Sequence, residues 1–264
     1  MDLGLNGKRA LVTGSTAGIG LAAAIGLARE GASVVVNGRT EARVGEAIAT
    51  VRKAVAGAEV SGVAADLAGA AGCNEMIARV PDVDVLVNNM GIFEPKPFDE
   101  ISDADWMRFF ETNVLSGVRL SRHYLPAMKR QNWGRILFIS SESAVQTPIE
   151  MVHYGITKTA QVAVARGIAE TTAGTGVTVN SVLVGPTKSE GVASFVGRLA
   201  EQRKVDEAAM EREFFVSARP TSLIKRFLTV EEVANAIVYL ASAASSATNG
   251  AAVRADGGVV RSIL

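Results

Sequence analysis

Six short runs of β-branched and apolar residues, each followed by a longer stretch with helical spacing, constrain this chain most. The runs are Ala10–Thr13, Ser33–Asn37, Val60–Ala64, Val83–Asn88, Arg135–Ser140 and Val177–Leu183. Helical patterns cover Gly18–Glu30, Glu41–Val55, Ala70–Val80, Ala104–Lys129, Tyr154–Thr172 and Val230–Ser242. Parallel strands cannot be joined by a tight hairpin, so this alternation predicts a parallel sheet with right-handed helical crossovers. Stretches such as Val83-Asp84-Val85-Leu86-Val87 are apolar almost throughout, as expected where helices cover both faces of the sheet. The fold class is α/β, doubly wound. No linker, charge block or repeat interrupts the 264 residues, so 1–264 is read as one domain. Residues 187–226 break the rhythm, with helical spacing around Val192–Ala200 and Val205–Phe215 and no strand between, which predicts a small lid inserted over the site.

Charge narrows the class of function. Lys plus Arg and Asp plus Glu balance at 27 each, so no long-range field gathers nucleic acid or an anionic membrane. The single Cys73 excludes an internal disulfide and a multi-cysteine metal site, and is read as a helix-packing residue. His123 and His153 are dispersed, with no clustered carboxylates, so no metal is expected. Met1 to Arg9 carries no apolar core of signal-peptide length and Gly18–Ala28 is too short to span a bilayer, which points to a cytoplasmic protein.

Thr13-Gly14-Ser15-Thr16-Ala17-Gly18-Ile19-Gly20 ends the first strand and opens the first helix. Backbone N–H groups and the helix dipole receive a pyrophosphate at such a place, the arrangement of a Rossmann-type fold. The spacing is G-x-x-x-G-x-G, so the usual dinucleotide fingerprint is met in mechanism and not in letter. At the end of the second strand, where an NAD-selective site places a carboxylate, stand Asn37, Gly38 and Arg39. Arg39 offers a planar fork to a 2′-phosphate, which favours NADP(H), with NAD(H) as the alternative. The competing reading of Arg39 is a solvated residue capping the next helix with Thr40.

Tyr154 and Lys158 lie four apart at a helix start, on one face. Lowering a phenol by about three pKa units requires roughly 4 kcal/mol, which an ammonium about 4 Å away supplies at an effective dielectric near 20.

Together with Asn88-Asn89-Met90-Gly91, Asn113, Ser140-Ser141, Tyr154-Gly155-Ile156-Thr157-Lys158 and Gly185-Pro186-Thr187, this order of motifs resembles the single-domain short-chain dehydrogenase/reductase family over nearly the whole chain. The likeness extends to Asp66-Leu67 and Asp256-Gly257-Gly258. It implies an oxidoreductase that moves a hydride between nicotinamide and a carbonyl or alcohol carbon of a small molecule. By that resemblance Tyr154 is the general acid/base, Ser141 bonds the substrate oxygen, and Lys158 holds the nicotinamide ribose and depresses the phenol. Asn113 positions a relay water, Asn89 supports the central strand, Asp66 contacts the adenine, and Pro186 and Thr187 border the nicotinamide. Gly14, Ser15, Thr16, Gly18, Ile19, Gly20, Leu67 and Gly91 complete the cofactor set. Met90 and Ala17 depart from the family pattern, and the second leaves Arg39 to select the cofactor almost alone.

Glu94, Glu142 and Gln146 follow or flank the motifs and are candidates to touch substrate, with exposed loop groups the commoner explanation. Phe93, Met151, Phe195, Met210, Phe214 and Phe215 are candidates for an apolar pocket under the lid or for core packing. Small and apolar residues along Ala104–Lys129 and Tyr154–Thr172, with the resemblance, predict a homo-oligomer, tetramer or dimer. The rival reading from another class is a non-catalytic NADP(H)-binding sensor or scaffold on the same fold.

Overall fold

The computed structural model describes residues 2–193, 197 and 206–263. Its strands are β1 (Arg9–Val12), β2 (Ser33–Gly38), β3 (Val60–Ala64), β4 (Val85–Asn88), β5 (Gly134–Ser141), β6 (Val177–Val184) and β7 (Ala252–Ala255). All pair in parallel, in the order β3-β2-β1-β4-β5-β6-β7. The chain winds outward from β1 to β3, then returns to β1 and builds the other half from β4. The carboxyl ends of β1 and β4 therefore flank the crevice in which open α/β sheets bind ligands.

Helices α1 (Gly18–Arg29), α2 (Glu41–Ala54), α3 (Ala70–Arg79), α4 (Asp103–Phe110), α5 (Ser116–Arg130), α6 (Val152–Glu170), α7 (Glu207–Ser217) and α8 (Val230–Ala241) follow. Neighbouring strand residues point to opposite faces, so Val12, Val36 and Val87 pack with Ala23, Leu27 and Ile237 of α1 and α8. Leu11, Val35 and Leu86 pack with Met76, Leu120, Tyr124 and Ala165 of α3, α5 and α6. Every residue of β5 and β6 is buried, which is why these strands read as apolar runs without alternation. A fully buried Val or Leu contributes about 1.5–3 kcal/mol, so the two layers fix the sheet and hence the strand ends that carry the site.

Two sequence expectations are corrected. The single helix expected over Ala104–Lys129 is two helices with a π-helical turn at Glu111–Leu115 between them. That wider turn buries Thr112, Asn113 and Val114, and polar bonds made by Asn113 hold it. A seventh strand, Ala252-Val253-Arg254-Ala255, adds to the sheet edge, where four partly exposed residues give too short a pattern to read. Of the expected lid, Val192–Ala200 falls largely outside the described residues. The second stretch forms α7, started by Asp206 accepting from the Ala209 N–H. An isolated parallel bridge pairs Thr187 with Leu228.

Candidate active site

Beyond β1 the chain turns through Gly14 (φ 57°) and Gly18 (φ 56°), left-handed conformations that favour glycine. A web of neutral bonds holds this turn. Ser15 donates from N to Asn37 O (2.8 Å) and from Oγ to Val12 O (2.6 Å), and it accepts from Asn37 N (2.8 Å). Asn37 Oδ1 accepts from Gly14 N (3.1 Å), while its Nδ2 donates to Val63 O and Ala65 O (both 3.1 Å). From β4, Asn89 Nδ2 donates to Thr13 O (3.1 Å) and Gly14 O (3.0 Å). A Cβ at Gly20 would stand 2.5 Å from Gly14 O, so only glycine lets α1 start this close to the turn. Ala17 supplies no side-chain cap and the first turn of α1 holds no acid, which leaves its N–H groups for an anion. The residues present thus fit a pyrophosphate, with Ser15 and Asn89 building the turn by their side chains.

Past β2, Thr16 packs over Gly38, whose Cβ would meet it at 2.4 Å. Thr40, not Arg39, caps α2 by accepting from Arg43 N (3.4 Å). Arg43 is engaged with Glu46 and Glu190, whereas Arg39 is exposed and has no acidic partner among the described residues. Asp66 is exposed after β3 with Oδ1 accepting from Ala68 N (3.1 Å), and Leu67 is buried beneath it.

The other end of the crevice is a cavity of about 550 Å³ whose walls include Ile19, Asn89, Gly91, Ser141, Tyr154, Lys158, Pro186 and Thr187. Strand β5 ends on Ser140 and Ser141, and Ser140 Oγ ties it to α6 by donating to Lys158 O (2.8 Å). Helix α6 then presents Tyr154 and Lys158 one turn apart, with Phe93 edge-on to the Tyr154 ring at 6.4 Å between centroids. A Cβ at Gly91 would lie 3.3 Å from Lys158 Nζ, so glycine keeps the space above the amine open. Thr187 Oγ1 donates to Gly185 O (2.9 Å), fixing the bend after β6.

Electrostatics in this pocket differ from the sequence expectation. Lys158 Nζ sits 5.6 Å from the Tyr154 ring centroid and donates to Ile139 O (2.8 Å) and Gln161 Oε1 (3.1 Å). Burial moves both groups toward neutrality: Lys158 falls to about 8, and the Tyr154 phenol rises above its ordinary range. Glu142 pushes the phenol further up, while Ser141 and Arg219 pull it down. Depression of the phenol by Lys158 is therefore not what the folded chain displays. Desolvation is the largest influence on the phenol, and the charges that act on it are those of Glu142 and Arg219.

Asn113 is tied into the floor of the site by side-chain and backbone bonds. It lies beneath the pocket, its Oδ1 accepting from Ile92 N (2.8 Å) and its Nδ2 donating to Ile92 O (3.1 Å) and Thr157 Oγ1 (3.0 Å). Its backbone O accepts from Gln161 Nε2 (2.6 Å), so the Gln161 side chain links Asn113 to Lys158. Gln161 is buried and was not singled out by the sequence, although a lone polar residue three positions beyond Lys158 shares its helix face.

Glu142 is the other surprise. Although an exposed loop group is the commoner expectation for it, it is buried, its Oε2 accepting the Ser141 hydroxyl and its Oε1 accepting from Arg219 Nε (2.9 Å). No sequence signal links these residues, which stand 77 positions apart. Glu94 pairs with Arg108 at the surface and Gln146 is exposed. Phe93, Met151, Met210 and Phe214 line the cavity; Phe215 packs with Phe227 beside it, and Phe195 lies outside the described residues. His153 is buried against Phe109, at 4.0 Å between ring centroids, and burial lowers its pKa. Cys73 is buried in the core with its thiol pushed up by burial. Among the described residues there is no cluster able to hold a metal, and no helix is long and apolar enough to cross a membrane.

Comparison with known proteins bears on this geometry. Residues 8–198 match the family model for short chain dehydrogenases. The oxidoreductase YvaG of Bacillus subtilis (strain 168) is 48% identical over 264 residues, covering 100% of both chains. D-beta-hydroxybutyrate dehydrogenase of Cupriavidus necator is 32% identical, covering 97% of this chain and 99% of that one. Among solved structures, L-sorbose reductase of Gluconobacter frateurii, complexed with NADPH and L-sorbose, superposes with a TM-score of 0.93 at 31% identity over 100% of both chains. With its seven-stranded parallel sheet, Ser141 at the end of β5 and Tyr154 and Lys158 on α6, this chain is an oxidoreductase of the short-chain dehydrogenase/reductase family.

Proposed function

We propose that the chain, working as one dinucleotide-binding unit, interconverts a carbonyl and an alcohol on a small molecule with NADP(H), Tyr154 serving as general acid and base. The observation that carries this reading is that Ser141, Tyr154 and Lys158 wall one cavity together with Gly91, Pro186 and Thr187. The phosphate-binding turn lies at the adjoining strand end. Arg39, exposed and without an acidic partner among the described residues, supports the preference for a 2′-phosphate. NADPH bound to L-sorbose reductase supports the same preference by likeness.

Nicotinamide, when bound, supplies the hydride to the carbonyl carbon or takes it from the alcohol. Ser141 holds the reacting oxygen through its Oγ: the Ser143 N–H donates to that Oγ (3.1 Å), and its single O–H turns from Glu142 to the reacting oxygen when substrate binds. As the C=O electron pair moves onto that oxygen, the Tyr154 O–H gives it a proton, and in the reverse direction the phenolate takes one back. Burial keeps the phenol protonated at neutral pH, the form that reduction requires. Lys158 and Gln161, tied to Asn113, fix the floor of the site and keep α6 in register with β5. Phe93, Met151 and Phe214 turn the cavity apolar and exclude water from the proton transfer.

Tyr154→Phe tests the reading. Turnover with NADPH and a panel of ketones and aldehydes should fall about 10²–10⁴-fold while NADPH affinity stays within roughly threefold. Unchanged turnover would remove Tyr154 from the chemistry. Tight NADPH binding by the natural chain without reduction of any carbonyl would return the non-catalytic reading.

A further inference from the structure

The wall of the cavity next to Ser141 is built from charge. Glu142 is 5% exposed, and it lines the cavity. One carboxylate oxygen accepts the Ser141 hydroxyl, and the other accepts from Arg219 Nε. Arg219, just beyond α7, also donates from Nη1 to Glu150 Oε1 (3.3 Å) and Ala218 O (2.8 Å). The guanidinium is thus held between two carboxylates, which offset its charge. Among the described residues Glu142 and Glu150 line the cavity with Lys158 and Arg219, so the wall carries no net positive charge to draw a carboxylate.

A carboxylate offers about four lone-pair sites, and the two bonds above engage two of those on Glu142. A buried anion neutralised by Arg219 does not demand a cation. Its remaining acceptor capacity suits a neutral O–H donor. Because Glu142 shares a hydrogen bond with the Ser141 hydroxyl, a group touching this carboxylate lies beside the oxygen that Ser141 and Tyr154 hold. That placement corresponds to a substituent on the adjacent carbon.

We propose that Glu142, held by Arg219, is a specificity-determining residue that accepts a hydrogen bond from a hydroxyl group next to the reacting carbon. The substrates are then neutral hydroxy ketones and the matching vicinal diols, not keto acids. This inference rests on the reading of Ser141 and Tyr154 as the reacting end. Phe93, Met151 and Phe214 leave the rest of the cavity to hydrocarbon.

Three probes that share one ring separate the possibilities: methyl phenyl ketone, hydroxymethyl phenyl ketone and phenylglyoxylate, each reduced with NADPH. The wild-type kcat/KM should favour the hydroxy ketone over the plain ketone by about ten- to a hundredfold, the range of a hydrogen bond to a charged acceptor. In Glu142→Ala that ratio should collapse toward one while phenylglyoxylate gains, since Arg219 loses one of its two carboxylates. Comparing ratios between variants cancels the electronic effect of the hydroxyl on the carbonyl. Should the alanine variant fail to fold, the isosteric Glu142→Gln and the wild-type ratio decide. A wild type that reduces the plain ketone as well as the hydroxy ketone overturns this inference alone, as does an equal loss on all three probes in the Glu142 variants. A wild type that binds NADPH and reduces none of the three overturns the carbonyl reductase reading, and this inference with it.

Discussion

The turn between β1 and α1 is held by neutral hydrogen bonds from Ser15, Asn37 and Asn89, whereas the opposite end of the crevice buries Glu142, Lys158 and Arg219 around one phenol. At the first end the chain prepares for an anion with backbone donors and close-packed glycines, and the charged groups, Arg39, Asp66 and the Arg43 pairs, lie at the surface. At the second, fixed charges act on one another in a poorly hydrated wall, where each shifts the others. On the proposed reading one end selects by shape and the Arg39 cation. The other selects by protonation state, so substitutions at the two ends should differ in kind as well as in size.

The largest effect expected from this comparison lies at the first end. Arg39→Ala should lower kcat/KM for NADPH about tenfold to a hundredfold and leave NADH within about twofold, since a charge-assisted bond to a phosphate is worth roughly 1.5–3 kcal/mol. The loss should shrink as salt rises, because Arg39 is exposed. Equal losses with both cofactors would mean that Arg39 does not read the 2′-phosphate, and the phosphate end would then carry no selective charge.

Lys158 offers the next largest effect, and in the opposite sense. Burial holds this amine at about 8, below its ordinary 10.5, so folding disfavours the cation. The penalty is full below about pH 8 and vanishes as pH rises past 10.5. Lys158→Met should raise stability at pH 7 by about 1–2 kcal/mol, the relief of desolvation being partly offset by two lost hydrogen bonds. Urea unfolding at pH 7 and pH 10 checks the sign, since the gain should shrink between them. A variant less stable at pH 7 would show that the chemical end is not held against an electrostatic penalty.

The same contrast accounts for what the sequence discloses. Gly14, Gly18 and Gly20 lie within seven residues of one another, and the strands that set them are apolar runs, so local spacing suffices to read the phosphate end. Tyr154 and Lys158 are legible for the same reason, one helical turn apart. Arg219 reaches Glu142 only because α7 folds back over the end of β5, a contact across 77 positions that no local pattern encodes. Asn113 was visible as a residue, but the π-helical turn that directs it at Ile92 and Thr157 depends on tertiary bonds. Strand β7 is short and half-exposed, so it lacks the apolar run that marked the other six.

The smallest effect is the most specific to the buried wall. Burial, then Glu142, raises the Tyr154 phenol, and Ser141 and Arg219 lower it. Carbonyl reduction needs the phenol protonated, so the alkaline limb of kcat/KM reports its titration. Removing a negative charge eases ionisation: Glu142→Gln should move that limb to lower pH by about half a unit. Removing a positive charge hinders ionisation, so Arg219→Met should move it upward by a similar amount, about half a unit. The two variants share a loss of the same ion pair, and a purely structural role would shift both limbs alike or neither. Arg219→Met should in addition destabilise the fold by about 3 kcal/mol, because it leaves Glu142 buried and unpaired, whereas the isosteric Glu142→Gln should be milder. Opposite displacements in pH, on unequal losses of stability, would mark the pair as setting the proton affinity of Tyr154 rather than merely bracing α7.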